Sequence, residues 1–260
     1  MTSLRKGATG ETLRVHVTET QEEAAQLATL GAVSLLRSLL ATQPTVRVMF
    51  AAAVSQERFL ARLRREPGIA WSRVHAFQLD EYVGLPVGHP ASFAQWLRHR
   101  LFDSVRPAAV FALDPSAPAG AECERYAALL MEAPIDIAFI GIGENGHLAF
   151  NDPWVADFDD PRLARVVPLD EISRAQQVHD GAFGRVELVP THAMTVTIPA
   201  ITRARYLSLL ATGQLKAAAV AAMLEGPIST ACPASIVRCH RRVAVYIDAV
   251  AAVKCTRRPR

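Results

Sequence analysis

The chain has 260 residues, 50% of them hydrophobic and 20% charged, with a formal net charge of +3. Such a length and composition suit one large α/β domain, or two small ones, around a substantial core, and they exclude a disordered chain. The charge is too small to imply a nucleic-acid partner, and no uninterrupted apolar run approaches the ~20 residues that span a bilayer.

In chain order, the opening MTSLRKGATGETLRV has basic residues but no apolar stretch, so no signal peptide is read there and a cytoplasmic protein is expected. An extended run at 13–17 precedes a helix at 21–40, where Ala24, Ala25, Leu27, Leu30, Val33, Leu36 and Leu40 recur at helical spacing. A strand at 46–52 leads into a helix at 55–65, with Ser55 as its N-cap. Strands at 74–79 and 109–113 bracket a helix at 92–102. A helix at 119–131 precedes the near-continuously apolar strand at 135–142. Extended runs at 164–169, 194–198 and 206–211, a helix at 214–224 and a strand at 243–247 complete the pattern. Lys254, Arg257, Arg258 and Arg260 form a basic tail without interleaved aromatics, read as solvated. Alternating strands and helices predict a Rossmann-like, doubly wound α/β fold with a mostly parallel sheet and helices on both faces. It is expected to be a single domain over residues 1–260. Cys123, Cys232, Cys239 and Cys255 lack C-x-x-C spacing and histidines at zinc-site intervals, so no disulfide or metal site is assigned.

Ligands of open α/β sheets bind outside the carboxyl ends of strands, so the loops after strands are where chemistry belongs. GIGENGHLAFNDP, residues 141–153, contains G-x-G-x-x-G behind an apolar strand, as a dinucleotide-binding turn would. That turn needs its third glycine to open a long helix. Here Gly146 is followed by only HLAF before Asn151, Asp152 and Pro153, and proline cannot sit in a helix interior. No NAD site is read. What the loop offers is Glu144, Asn145, His147, Asn151 and Asp152 at a strand's end, where an imidazole can move protons. FQLDEYVGLP, residues 77–86, ends another strand with Asp80 and Glu81, which serve either as turn caps or as carboxylates at a cleft mouth. The polar stretch NDPWVADFDDPR, residues 151–162, is expected to be a lid.

DEYVGLP, followed about sixty residues later by GHLAFN, resembles the glucosamine-6-phosphate deaminase/isomerase family, within a wider group of 6-phosphogluconolactonases and ribose-5-phosphate isomerases. The likeness continues through VPTHAMTVTIPAI, ATGQLKAAAVAAMLEGPIS and RVAVYID. It implies conversion of a small-molecule sugar phosphate, glucosamine 6-phosphate, to fructose 6-phosphate and ammonia without metal or organic cofactor. It leaves open whether the chain forms a homo-oligomer; from charge and apolar run length, no nucleic-acid or membrane partner is expected.

By that resemblance Asp80 carries the C2 proton to C1, His147 assists ring opening, and Asp152 stands where the family has a glutamate that works with the histidine. Asn145 replaces an aspartate that would orient the imidazole. Asp152 is also one methylene shorter than glutamate, a shift of more than ~1 Å. Substrate or phosphate is expected at Ala52, Ala53, Ser55, Glu81, Gly143, Glu144 and Lys216. The family's Gly-rich, proline-ended phosphate loop reads AAAVSQ here. Its arginine within 173–183 has Arg174 and His179 as candidates. Lactonase relatives carry D-E-R and G-x-D-G-H-T-A-S, whereas this chain has Tyr82 and LAFN. A sugar-phosphate-binding protein with little catalysis is a third reading, motivated by Asn145 and AAAVSQ.

Overall fold

The computed structural model describes residues 2–6 and 12–256, so Arg257, Arg258 and Arg260 of the basic tail lie outside the described residues. Strand β1 (Thr2–Lys6) pairs antiparallel with β2 (Thr12–Thr18). Helix α1 (Gln21–Thr42) starts at a capping box, in which Glu23 N donates to Thr20 Oγ1 and Thr20 N donates to Glu23 Oε2, each at 3.2 Å. After it come β3 (Val46–Phe50), α2 (Glu57–Leu63), β4 (Val74–Gln78) and β5 (Asp80–Tyr82). Helix α3 (Phe93–Leu97) widens into a π turn (Arg98–Phe102) and closes as α4 (Asp103–Val105). The chain continues through β6 (Ala109–Phe111), α5 (Ala119–Met131), β7 (Ile137–Ile140), β8 (Ala164–Pro168), α6 (Glu171–His179) and β9 (His192–Val196). It ends with α7 (Ile198–Thr202), β10 (Tyr206–Ala211), α8 (Ala217–Glu225) and β11 (Val243–Asp248).

The main sheet runs β1-β2-β11-β10-β7-β3-β4-β6, and every neighbouring pair is parallel except β1 with β2. Successive side chains on a strand point to opposite faces. Val46, Val48, Phe50, Ile137 and Phe139 accordingly pack in one core with residues of α1, α2 and α3. Met49, Ala138 and Ile140 join the other, with residues of α5, α7 and α8. Helices on both faces are why these strands read as continuous apolar runs rather than alternating ones. Among the described residues, α1 alone would pass for a membrane span by length and hydropathy. Its buried residues, including Ala24, Ala28, Val33 and Leu36, are instead spent against β2, β10 and β11.

The doubly wound fold is as expected, with differences in detail: strands β1 and β5 were not predicted. The runs predicted at 164–169 and 194–198 are not in the main sheet: β8 and β9 join β5 in a separate antiparallel sheet, ordered β5-β9-β8. Leu79 alone separates β4 from β5, so the chain leaves the parallel sheet just where it presents Asp80. The helices α6 and α7 were not predicted.

Candidate active site

Strand β3 lies between β4 and β7, and the chain leaves these neighbours toward opposite edges of the sheet. That is a topological switch point, where an open α/β sheet leaves a crevice at the strands' carboxyl ends. A cavity of about 440 Å³ opens there, lined by the loops after β3, β4, β7 and β10 and by side chains of α3 and α6. Its volume suits a single small metabolite.

The loop after β7 builds one wall. The backbone reverses through Gly146 (φ 89°) and Ala149 (φ 51°), and it does not open a helix. His147 lines the cavity and is 8% exposed. Its Nδ1 lies 2.9 Å from Asp152 Oδ1 and 2.9 Å from Ser173 Oγ, and Ser173 Oγ also donates to Asp152 Oδ1. Asn145 does not touch the imidazole. Its Oδ1 accepts from His147 N at 3.0 Å, and its Nδ2 donates to Asp152 Oδ1 at 3.0 Å. Asp152 is fully buried. Burial alone raises its carboxyl, but hydrogen bonds from His147, Asn145 and Ser173 outweigh that and hold it below the usual carboxylate range. An ionised Asp152 can only accept, so the histidine carries its proton on Nδ1 and Nε2 is left as the base. The Asn145 amide thus supports the carboxylate that orients the ring.

Gly143 is required by this geometry. A Cβ there would come within 2.2–2.3 Å of the His147 ring atoms. Gly143→Ala is expected to displace the imidazole and lower turnover roughly 100-fold, as a ~1 Å misplacement can. Turnover and circular dichroism measured together separate this from unfolding.

The loop after β4 supplies Asp80, which lines the cavity, is 8% exposed, and has a carboxylate that accepts no hydrogen bond among the described residues. Burial, followed by the charge of Glu81, pushes its carboxyl well above the usual range. Glu81, expected at the substrate, points elsewhere. It is fully buried, and it accepts from Ser92 Oγ at 2.6 Å and from the Phe93 and Ala94 amides at 3.1 and 2.9 Å, so it caps α3. The backbone amides expected at Asp80 are thus taken by Glu81, while Asp80 faces the cavity.

Ala52, Ala53, Ser55 and Lys216 also line the cavity. Ser55 does not N-cap a helix. It sits inside a 3-10 turn whose capping position, Ala53, offers no side-chain acceptor. Lys216, at the start of α8, is 8% exposed; burial lowers its ammonium, with Asp180 and Glu144 opposing the shift. Glu144 does not line the cavity. Its carboxylate lies 3.6 Å from His179 Nδ1, and its amide donates to Gln176 Oε1. Arg174 donates to the Val186 and Val189 carbonyls and, like His179, is absent from the lining. None of residues 151–162, expected as a lid, lines the cavity in this structure. The lining residues that sequence reasoning missed include Trp96 on α3, Arg100 just after it, and Gln176, Gln177 and Asp180 on and after α6. Ser173, behind the histidine, was missed too. Asp170 N-caps α6 through the Ile172 and Ser173 amides, and this Asp-Glu-Ile-Ser start was the one available signal for that helix.

The family model described as glucosamine-6-phosphate isomerases/6-phosphogluconolactonase matches residues 19–162 and 165–246. The chain belongs to this family. Within it, the chain is 39% identical over 201 residues to the glucosamine-6-phosphate deaminase of Rhodococcus opacus strain B4, covering 76% of each. It superposes with a TM-score of 0.84 and 30% identity on a monomeric glucosamine-6-phosphate deaminase described as the missing link of the NagB superfamily, over 92% of this chain and 98% of that one. The 6-phosphogluconolactonase of Thermotoga maritima shares the fold, with a TM-score of 0.74 at 19% identity over 90% of this chain and 98% of that one.

Proposed function

We propose that this family member isomerises and deaminates glucosamine 6-phosphate, giving fructose 6-phosphate and ammonia, as a single cytoplasmic domain that needs no cofactor. The observation that carries the reading is the presence in one cavity of an unbonded Asp80 carboxylate and a His147 whose Nδ1 is tied to Asp152 and Ser173. The identity to named deaminases supports it. The lactonase alternative has less support. Tyr82, where those relatives carry arginine, is fully buried and donates to Gln177 Oε1 at 2.6 Å, with its ring against Phe93, Phe150 and Phe183.

In this mechanism His147 Nε2 takes the proton of the C1 hydroxyl and delivers it to O5 as the C1–O5 bond breaks, leaving an open-chain aldehyde. The transient imidazolium is held by Asp152. Asp80 then removes the C2 proton, the electrons form the C1–C2 double bond, and the carbonyl oxygen takes a proton given up by the C2 ammonium, so that an enolamine spans C1 and C2. The same proton returns to C1 and leaves an imine at C2. Water adds to that imine, ammonia departs, and the ketone remains. A buried carboxylate with a raised pKa suits a proton that must leave carbon, because it is a stronger base than a solvated one. Lys216, Ser55 and the Ala52 and Ala53 backbone are assigned to the phosphate, and Gly143 to the substrate beside His147.

The test is ammonia release from glucosamine 6-phosphate, with fructose 6-phosphate assayed in parallel and a second arm in excess EDTA. Equal amounts of the two products, unaffected by EDTA, are expected. Substrate binding without product would leave a sugar-phosphate-binding protein instead.

A further inference from the structure

We propose that Arg100 is a phosphate-binding residue of this site, supplying from the α3 side the second cation that the α6 side lacks. The inference rests on the sugar-phosphate reading above. The charged lining residues are Asp80, Arg100, Asp180 and Lys216, with His147 beside them. Lys216 shares the cavity with Asp180, whose charge acts on it. The other cationic candidates are committed elsewhere, Arg174 to two backbone carbonyls and His179 to Glu144. With Arg100 removed, a phosphate dianion would meet two carboxylates and one ammonium.

Arg100 is built for the role by local structure. It lies in the π turn Arg98–Phe102, and such wide turns inside helices are frequently functional. The turn sorts the basic run Arg98-His99-Arg100. Arg98 and His99 both approach Asp103, at 3.6 and 3.7 Å, and neither lines the cavity. Arg100 lines the cavity instead. Its guanidinium lies over the Trp96 ring, 4.7 Å from the centroid, and its Nε donates to Glu57 Oε1 at 3.1 Å. Glu57 begins α2, two residues after Ser55, so this bond fixes Arg100 against the loop assigned to phosphate. Among the described residues no other acceptor takes the remaining guanidinium N–H groups. A planar fork held along one edge, with its other donors unused, is suited to grip two phosphate oxygens at once. The glycines and proline missing from AAAVSQ remove backbone adaptability at that loop, and Arg100 compensates with side-chain donors.

The experiment compares wild type, Arg100→Gln, Arg100→Lys and Arg98→Gln in two readouts, the dissociation constant of inorganic phosphate by calorimetry and the kcat and KM of ammonia release. Arg100→Gln is expected to weaken phosphate binding and raise KM by roughly 10- to 100-fold, the worth of a charge-assisted hydrogen bond. Its kcat should stay near wild type, because the reacting carbons lie elsewhere. Arg100→Lys should recover part of the loss, and Arg98→Gln should change neither constant. If Arg100→Gln matches wild type in phosphate affinity, the inference is overturned. Wild-type protein that binds phosphate, and loses that binding in Arg100→Gln, yet releases no ammonia, would sink the deaminase reading while upholding Arg100.

Discussion

Asp80→Asn is expected to lower kcat for ammonia release by ~10²–10⁴-fold, the usual contribution of a positioned general base. Asparagine keeps the shape but cannot take the C2 proton. The substitution breaks no hydrogen bond, since the Asp80 carboxylate accepts none among the described residues, and it removes a buried charge that burial and Glu81 both disfavour. The melting temperature should therefore hold or rise while activity collapses, and that split separates a chemical role from a structural one. The sign of the pH dependence follows. Because the folded-state pKa is raised above the unfolded value, the folded chain holds this proton more tightly, and that contribution to stability fades as pH rises through the folded pKa. Activity needs the ionised form, so the acid limb of kcat/KM should lie above the ordinary aspartate value of ~3.9. An Asp80→Asn variant within tenfold of wild type, or an acid limb at the ordinary value, would remove Asp80 from the mechanism.

The fold and the cavity positions of Asp80 and His147 were legible because each depends on local signals. Strands such as Ile137–Ile140 are buried on both faces and read as apolar runs. Asp80 and His147 sit directly after such runs, at the edge of the crevice that the topology creates. Helix α6 was illegible for a physical reason: its buried positions are Ser173, Gln176 and Gln177, whereas Ile172 is 52% exposed. It packs a polar face inward, toward the histidine and the cavity, so apolar periodicity points the wrong way. The positions of Ser173 beside His147, and of Asp180 and Arg100 at the cavity, likewise arise from tertiary placement of residues far apart in sequence. Glu81 is the converse case, adjacent to the cavity-lining Asp80 in sequence yet turned away to cap a helix.

The two departures from the family around His147 are coupled, and Asn145→Asp alone should be harmful although it restores the family's residue. Asn145 Nδ2 stands 3.0 Å from Asp152 Oδ1, and a carboxylate in its place would bring two like charges to hydrogen-bond distance. One of the pair must then hold a proton over a wider pH range, as closely paired carboxylates do. Asp152 would lose part of the charge that keeps the proton on His147 Nδ1. The bond from His147 N to the side chain at 145 remains available to aspartate, so the loop itself should survive. In wild type the depressed pKa of Asp152 contributes stability above the unfolded value of ~3.9, lost as pH falls through the lower folded value. In Asn145→Asp that contribution shrinks, and the acid limb of kcat moves to higher pH. We expect kcat at neutral pH to fall by roughly 10- to 100-fold. Adding Asp152→Glu moves the second carboxylate by more than ~1 Å and recreates the family's pairing, so the double variant should regain much of the loss, a coupling that a double-mutant cycle measures directly. Independent effects of the two substitutions would mean that each residue acts on the histidine alone, and that Asn145 is not the partner that lets a shorter carboxylate serve.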